Sequence, residues 1–414
     1  MARKAKAPTQ LGLTELDAAM DGVISQSVME HGSRTIDADF SNHTLVIPVP
    51  NLCWEYLLGI NGYPLSRSTV LAAENHVGKT AMLAEMTFWH RQMAGRGVVG
   101  CTEGDKDSPV LRQSVMRYDK KALVYQPKTT LEAWQSYLWF NAKNVINHFA
   151  KHPEHTVPFL TGVDSLVGVL CKSKVEEMKR TGHAKSDFAT EAKLIGDWIK
   201  TYSSEMLAGQ PISFVGTSHI YLENSSMPGL PPKIVVSGGR KILYMSAITI
   251  LMRYVRKLDS VTRKGQLINF SLLKNTLSGT RHFAKFDAAM YWETDPTTGR
   301  QKTWWDWDEA TVWLLSDREM FPAKGELGKE LVAVCNIQGG TNNRYYCQQL
   351  GVNEANALPA SELGALLATN EPVKQAVRKA LKIHCHPQFQ SFVKYAPQAL
   401  DVEKHGPDEV GNDE

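Results

Sequence analysis

Val70-Leu71-Ala72-Ala73-Glu74-Asn75-His76-Val77-Gly78-Lys79-Thr80-Ala81-Met82 has the pattern of a strand, a tight loop and the start of a helix. The mostly apolar run Thr69 to Ala73 has the character of a buried strand, and Ala81 to Met86 opens an apolar helical pattern. Between them, Gly78-Lys79-Thr80 is the tail of the G-x-x-x-x-G-K-[ST] signature. Phosphate binding needs this order: backbone N–H groups at a helix start cradle the anion, a lysine reaches the outer phosphate oxygens, and a hydroxyl ligates Mg²⁺. The candidate cradle is therefore Ala73, Glu74, Asn75, His76, Val77, Gly78, Lys79, Thr80 and Ala81. Ala73 stands where the signature has its first glycine, and its Cβ is costly if the loop needs a positive φ there. An ordinary strand-turn-helix is the competing reading.

Upstream, Pro48-Val49-Pro50 and Gly59 to Pro64 mark turns that deliver the chain into this strand. Downstream, a helix over about 80–94, a Gly95-Arg96-Gly97 break and a strand at Val98 to Thr102 complete a βαβ unit, which implies parallel strands. That strand runs into Glu103, and the apolar run from Val157 ends at Asp164-Ser165. Both carboxylates fall at the carboxyl edge, where open α/β sheets hold their ligands. Asp164 suits a Mg²⁺-directing role, and a surface turn is the alternative for Glu103. The helix Thr130 to Phe149, with Trp134, Tyr137, Leu138, Trp139 and Val145, is core-forming.

Lys172 to Asp187 mixes charges of both signs and is expected to be a mobile loop. A helix over Phe188 to Leu207 carries Lys193 and Lys200 on one face. A strand over Pro211 to Thr217 ends at Ser218-His219, and a second polar loop is expected from Tyr221 to Val236. Ser237, Gly238, Gly239, Arg240 and Lys241 then open another helix, offering N–H groups and two cations to an anion.

In 414 residues, 43% hydrophobic and 21% charged, there is room for one large domain and a smaller one of ordinary globular composition. A net charge of +3 does not by itself indicate nucleic acid, because a basic surface can be local. The six cysteines have no framework spacing, so free thiols in a reducing compartment are expected. The basic start Met1 to Lys6 is not followed by an apolar stretch, and no apolar run reaches membrane-spanning length. The expectation is an intracellular protein without a membrane partner.

With its segments in this order, the chain resembles the RecA recombinase family, and within it the UvsX-like recombinases of bacteriophages. The likeness spans about 60–390. It rests on the Gly-Lys-Thr loop, Glu103, Val163-Asp164-Ser165, Ser218-His219-Ile220, Val236-Ser237-Gly238-Gly239 and Ser271-Leu272-Leu273-Lys274-Asn275, followed by Asn343 to Cys347, Leu350-Gly351-Val352 and Leu381-Lys382. The resemblance implies an α/β fold: a RecA-type P-loop ATPase core with a mainly parallel central sheet, an N-terminal helix and a small C-terminal α+β domain.

The same resemblance implies ATP and Mg²⁺ as cofactors, bound by Lys79, Thr80 and Asp164. Glu103 would activate the hydrolytic water, His219 would sense the γ-phosphate, and Lys274 would reach the nucleotide of a neighbouring protomer. Loops 172–188 and 220–236 would bind DNA, with Lys193, Lys200, Ser237, Gly238, Gly239, Arg240 and Lys241 toward phosphates, Tyr221 beside them, and Leu222 or Met227 between bases. The implied partners are single- and double-stranded DNA, further copies of the chain in a helical filament, and single-strand-binding and mediator proteins in the cytoplasm of a phage-infected cell. Ala73 and Thr276 depart from the family pattern and bear on hydrolysis and its coupling to the filament. A non-hydrolysing DNA-coating relative and a hexameric helicase motor are the alternative functions.

The expected organisation is a basic arm with an oligomerisation helix at 1–35, the core at 36–288, a C-terminal domain at 289–400 and an acidic tail at 401–414. Tyr291-Trp292-Glu293 and Trp304 to Asp308 flank a Pro-Gly turn, predicting an aromatic hairpin that builds a local core or stacks on bases. His384-Cys385-His386, with Cys335 and Cys347, fits no usual zinc-finger spacing.

Overall fold

Among the described residues of the computed structural model are ten strands of one central sheet and ten α-helices. The structure describes residues 45–49, 51–93, 95–102, 123–183, 188–223, 233–259, 264–278, 284–294, 301–316 and 326–389, all within one compact unit. The expected arm and helix in 1–35, Glu103, Met227, the Pro-Gly turn and the tail at 401–414 lie outside them. In chain order the strands are β1 (Ser68–Ala73), β2 (Arg96–Cys101), β3 (Leu123–Pro127), β4 (Phe159–Asp164), β5 (Ile212–Glu223), β6 (Lys233–Val236), β7 (Ile248–Asp259), β8 (Lys264–Asn275), β9 (Lys285–Thr294) and β10 (Gln301–Asp306). The helices are α1 (Leu52–Leu58), α2 (Lys79–Gln92), α3 (Leu131–Lys151), α4 (Lys172–Thr181), α5 (Phe188–Tyr202), α6 (Arg240–Met245), α7 (Trp307–Ser316), α8 (Glu326–Cys335), α9 (Ala360–Thr369) and α10 (Glu371–Ala380).

The central sheet runs β10-β9-β8-β7-β1-β5-β4-β2-β3, with β6 paired to β5 off this path. Pairing is parallel from β7 through β3 and antiparallel from β7 to β10. The class is thus α/β with a mainly parallel sheet, and β1, in its middle, is buried at every position. Strand alternation sends Val70 to the face covered by α3 and α5, and Leu71 and Ala73 to the face covered by α1 and α2. Such two-sided burial explains why Thr69 to Ala73 is a nearly unbroken apolar run.

On the α1 face, Trp54 is the hub. Its ring meets Trp89, Phe270, Phe286 and Trp307 edge-on at 5.2, 5.4, 5.6 and 5.9 Å, the geometry the ring quadrupoles favour. Trp305 and Trp307 are buried and stacked at 5.2 Å, and the Trp307 indole N–H donates to Glu85 at 3.0 Å. The tryptophan-rich hairpin therefore builds core with those two rings, and its strands β9 and β10 are the outer members of the central sheet. The boundary expected at 289 falls inside β9.

Two expected loops are ordered differently. Lys172 to Asp187 contains α4, supported by the Lys172–Glu176 pair one turn apart and by Lys174, whose ammonium reaches Glu191 of α5 at 3.4 Å. Mixed charge here marks a helix surface. In the second loop, Tyr221 to Glu223 extend β5, and the register Ile220↔Val236 to Glu223↔Lys233 makes a hairpin with β6. All six cysteines are free thiols.

Beyond the sheet, α8 to α10 and a small sheet of Gln338–Gly339, Arg344–Tyr346 and Leu358–Pro359 form the C-terminal part. Arg378 of α10 grips the buried Glu55 of α1 through Nε and Nη2, at 2.6 and 2.7 Å, while its Nη1 donates to Glu371 at 2.9 Å. The chain then returns to its start: His384 N–H donates to Gly59, Asn61 N–H to His384, Val46 N–H to Pro387 and Phe389 N–H to Val46, at 2.8–3.1 Å.

Breaking the buried pair leaves an uncompensated carboxylate. Arg378→Ala should therefore cost about 3–5 kcal/mol in urea unfolding, and adding Glu55→Leu should restore much of it; an Arg378→Ala protein of unchanged midpoint would show that the pair carries no weight. His90 makes a second prediction. It is fully buried, with Nδ1 2.8 Å from the Met86 carbonyl and Nε2 3.1 Å from the Ser213 hydroxyl, and burial pushes its pKa down from 6.5 to about 4. The unfolded chain then binds a proton below pH 6.5 that the folded chain refuses until about pH 4, so stability is full above the unfolded value and falls with acidification. Between pH 7.5 and pH 5 the loss from this group is about 2 kcal/mol, which urea midpoints would show and His90→Asn would largely remove.

Candidate functional site

At one edge of the sheet β1 ends between two parallel strands that run on past it, β5 and β7. Ala73, the last residue of β1, is in register with His219 of β5 on one side and Met252 of β7 on the other. On β4, Asp164 ends opposite Cys101 of β2. The stretch Val70 to Met82 therefore turns at the edge where Asp164 and His219 also emerge. At that turn Gly78 has φ +95 and caps α2, whose first residues are Lys79 and Thr80.

Side chains at this edge meet. The Thr80 hydroxyl donates to one Asp164 oxygen at 2.7 Å, and the Thr217 hydroxyl to the other at 2.5 Å. Asp164 itself is buried. Thr102 braces the next peptide, accepting from the Ser165 N–H at 2.7 Å and donating to the Ser165 carbonyl at 2.6 Å. The Lys79 ammonium donates to the carbonyls of Ala73 and Glu74 at 3.3 and 2.8 Å and lies 3.3 Å from His219 Nδ1. Thr80 and Asp164 together offer hard oxygen donors of the kind that suits Mg²⁺.

Lys79, Thr80 and His219 line a cavity of about 800 Å³, one wall of which adds Asn75, His76 and Gly168 and the other Gln266, Met290, Trp292 and Thr303. The second wall comes from β8, β9 and β10, and the signature alone could not have found it, since those residues are over 180 positions away. Gln266 holds the loop by donating to the His76 carbonyl at 3.0 Å. A Cβ on Gly78 would sit 2.6 Å from Met290 Sδ, a contact the flexible methionine end can yield, so it is the φ of +95 that calls for glycine here.

Ala73 needs revision. It is a paired strand residue buried against the core, and the positive φ values of the loop belong to His76, at 62°, and Gly78. The Cβ penalty expected at 73 is not incurred there; its counterpart falls on His76.

The other candidates divide. Lys193, Lys200 and Lys241 gather about Asp197, which Lys241 contacts directly and whose carboxyl the three ammonium groups, Lys241 foremost, hold below the usual range. Lys241 is thus already engaged, while Arg240 is exposed at the start of the short α6. Tyr221 and Leu222 are exposed on the end of β5. Ser237 connects the two regions: its N–H donates to the His219 carbonyl at 2.8 Å, and its carbonyl accepts from the Ser218 hydroxyl at 2.9 Å. Gly238 and Gly239 follow with φ +86 and +87.

Lys274 does not join the cavity of its own chain. It pairs with Thr249, opposite Val70, three positions back from the Ala73 edge, and its ammonium donates to the Tyr244 carbonyl at 2.5 Å. Partial burial lowers its pKa. Sequence reading also missed Arg253, Tyr254, Val255, Arg256 and Lys257, five consecutive exposed residues where β7 continues past the end of β1. Their mixture of cations with an aromatic ring was the available signal.

No family model matches the chain, and no curated protein matches it significantly.

The revised view of the loop makes opposite predictions for its two small residues. Ala73→Gly should lower stability by about 0.5–1 kcal/mol, since a glycine in a strand loses entropy and packing, whereas Gly78→Ala should cost about 1–2 kcal/mol from the left-handed conformation alone. Urea unfolding of both variants decides; a more stable Ala73→Gly protein would restore the original suspicion.

Proposed function

We propose that this chain is an ATP-dependent DNA recombinase of RecA type, assembling on single-stranded DNA and pairing it with a homologous duplex. The observation that supports this best is the convergence of Lys79, Thr80, Asp164 and His219 at one sheet edge, with the His219 backbone bonded to Ser237 at the base of the β5–β6 hairpin. One connected set of hydrogen bonds thus runs from the phosphate cradle to the segment proposed to meet DNA.

The loop N–H groups and the Lys79 ammonium would bind the β- and γ-phosphates, the ammonium exchanging its present carbonyl partners for stronger anionic ones. Thr80 and Asp164 would hold Mg²⁺, which when bound neutralises charge on the phosphate oxygens. His219 Nδ1 lies against Lys79 and loses that neighbour when the ammonium turns to phosphate. Its movement would be passed to Ser237 and on to the hairpin carrying Tyr221 and Leu222. Glu103, outside the described residues, is the proposed base for the attacking water; it is next in sequence to Thr102, whose N–H donates to the Asp164 carbonyl at 2.7 Å. Lys274, directed away from its own cavity, fits a role at the nucleotide of an adjoining copy.

Purified protein should hydrolyse ATP faster when single-stranded DNA is added, and Lys79→Ala should reduce the rate to background by removing the main cation on the transferred phosphate. Electron micrographs with DNA and ATP should show helical filaments. Closed rings would favour the helicase reading, and DNA binding without stimulated hydrolysis would favour the coating protein.

A further inference from the structure

At the opposite edge of the sheet from the phosphate cradle, three histidines and a glutamate cluster where α3 ends and the chain turns into β4. The segment reads His148-Phe149-Ala150-Lys151-His152-Pro153-Glu154-His155. His148 lies in the last turn of α3 and His152 caps it, its N–H donating to the His148 carbonyl at 2.8 Å. Pro153 opens a single 3₁₀ turn over Pro153–His155, closed by His155 N–H to the His152 carbonyl at 2.9 Å and Thr156 N–H to the Pro153 carbonyl at 3.1 Å. That turn folds His155 back onto the helix end, and the three imidazole centroids are 5.0, 5.2 and 5.2 Å apart.

We propose that His152, Glu154 and His155 form a binding site for a divalent first-row transition ion such as Zn²⁺, with His148 orienting the His155 ring. Ligand spacing carries the first part. Metal–nitrogen bonds of about 2.0–2.1 Å in a tetrahedron put neighbouring donor atoms about 3.3 Å apart. Here His152 Nδ1 and Glu154 Oε1 are 3.3 Å apart, Glu154 Oε1 and His155 Nε2 3.7 Å, and one donor atom from each of the three lies within 4.8 Å of the others. Two imidazoles and one carboxylate leave a fourth position for water, and the nitrogen donors favour Zn²⁺ over Mg²⁺.

The second part rests on His148, whose Nε2 is 3.1 Å from His155 Nδ1. A hydrogen bond on one ring nitrogen fixes which nitrogen faces a metal, as partners of metal-bound histidines do elsewhere. One further feature favours a cation: the carbonyl end of the 21-residue α3 carries partial negative charge. An ion here would tie the end of α3 to the entry of β4, independently of any nucleotide.

The test uses full-length protein stripped of metal with a chelator and titrated with Zn²⁺ in competition with a chromogenic zinc indicator. The unsubstituted protein should take up one equivalent more than the His152→Ala, His155→Ala double variant, and Zn²⁺ should raise the Tm of the first but not the second. His148→Ala should keep the equivalent but bind it about 10- to 100-fold more weakly. Because all four side chains are exposed, the variants should fold, and far-UV circular dichroism would verify it. Equal uptake by the unsubstituted and double-variant proteins would overturn the site, and an unchanged affinity in His148→Ala would overturn its orienting role.

Discussion

Two threonine hydroxyls aimed at one carboxylate fix the architecture of the sheet edge. Thr80 and Thr217 each donate to a different oxygen of Asp164, and the three residues come from the helix after β1, from β5 and from β4. A buried carboxylate is costly unless its oxygens are satisfied, so the three elements are held in one register by the need to satisfy it. The neighbouring pairs follow: Ala73 opposite His219 puts Lys79 against the imidazole, and the Thr102 hydroxyl bracing Ser165 aligns the end of β2. Hydroxyls can turn toward a metal as readily as toward a carboxylate, so this network holds the edge together without a ligand and can rearrange around one.

The fold was legible where a local rule applies. A strand buried on both faces must be apolar throughout, and Thr69 to Ala73 is; a glycine with φ +95 must precede the helix, and Gly78 does. The βαβ spacing gave parallel pairing for the same reason. What stayed hidden depends on contacts between residues far apart in the chain. The cavity wall of Gln266, Met290, Trp292 and Thr303 has no motif, because each residue is specified only by the loop it faces. Lys172 to Asp187 reads as a mobile loop because it is polar, yet Lys172 to Thr181 is a helix whose Lys174 reaches a glutamate on the next one.

Ala73 shows how a motif can mislead when position is taken for conformation. The signature marks where glycine is common and does not say which backbone angle is needed there. In this chain the left-handed residues are the fourth and sixth of the loop counted from Ala73, and the alanine merely ends a strand. The basic cluster shows the reverse case. Lys193, Lys200 and Lys241 do come together, as the helix spacing implied, but around Asp197, so part of their charge is already balanced.

The return of residues 384–389 to pair with residues 46–61 couples the completion of the fold to synthesis on the ribosome. Asn61 Nδ2 donates to a carbonyl 325 residues further along, at His386, and Glu55 of α1 waits for Arg378. At about 5–20 residues per second, that separation takes roughly 16 to 65 seconds to translate. Through that interval α1, with all seven of its residues destined for burial, can gain the aromatic partners of Trp54 up to Trp307 but not the counter-charge of Glu55. A chain released early, short of residue 378, would keep that carboxylate without Arg378 and the backbone groups of Val46, Gly59 and Asn61 without residues 384–389, and should be recognised as a substrate by chaperones and proteases.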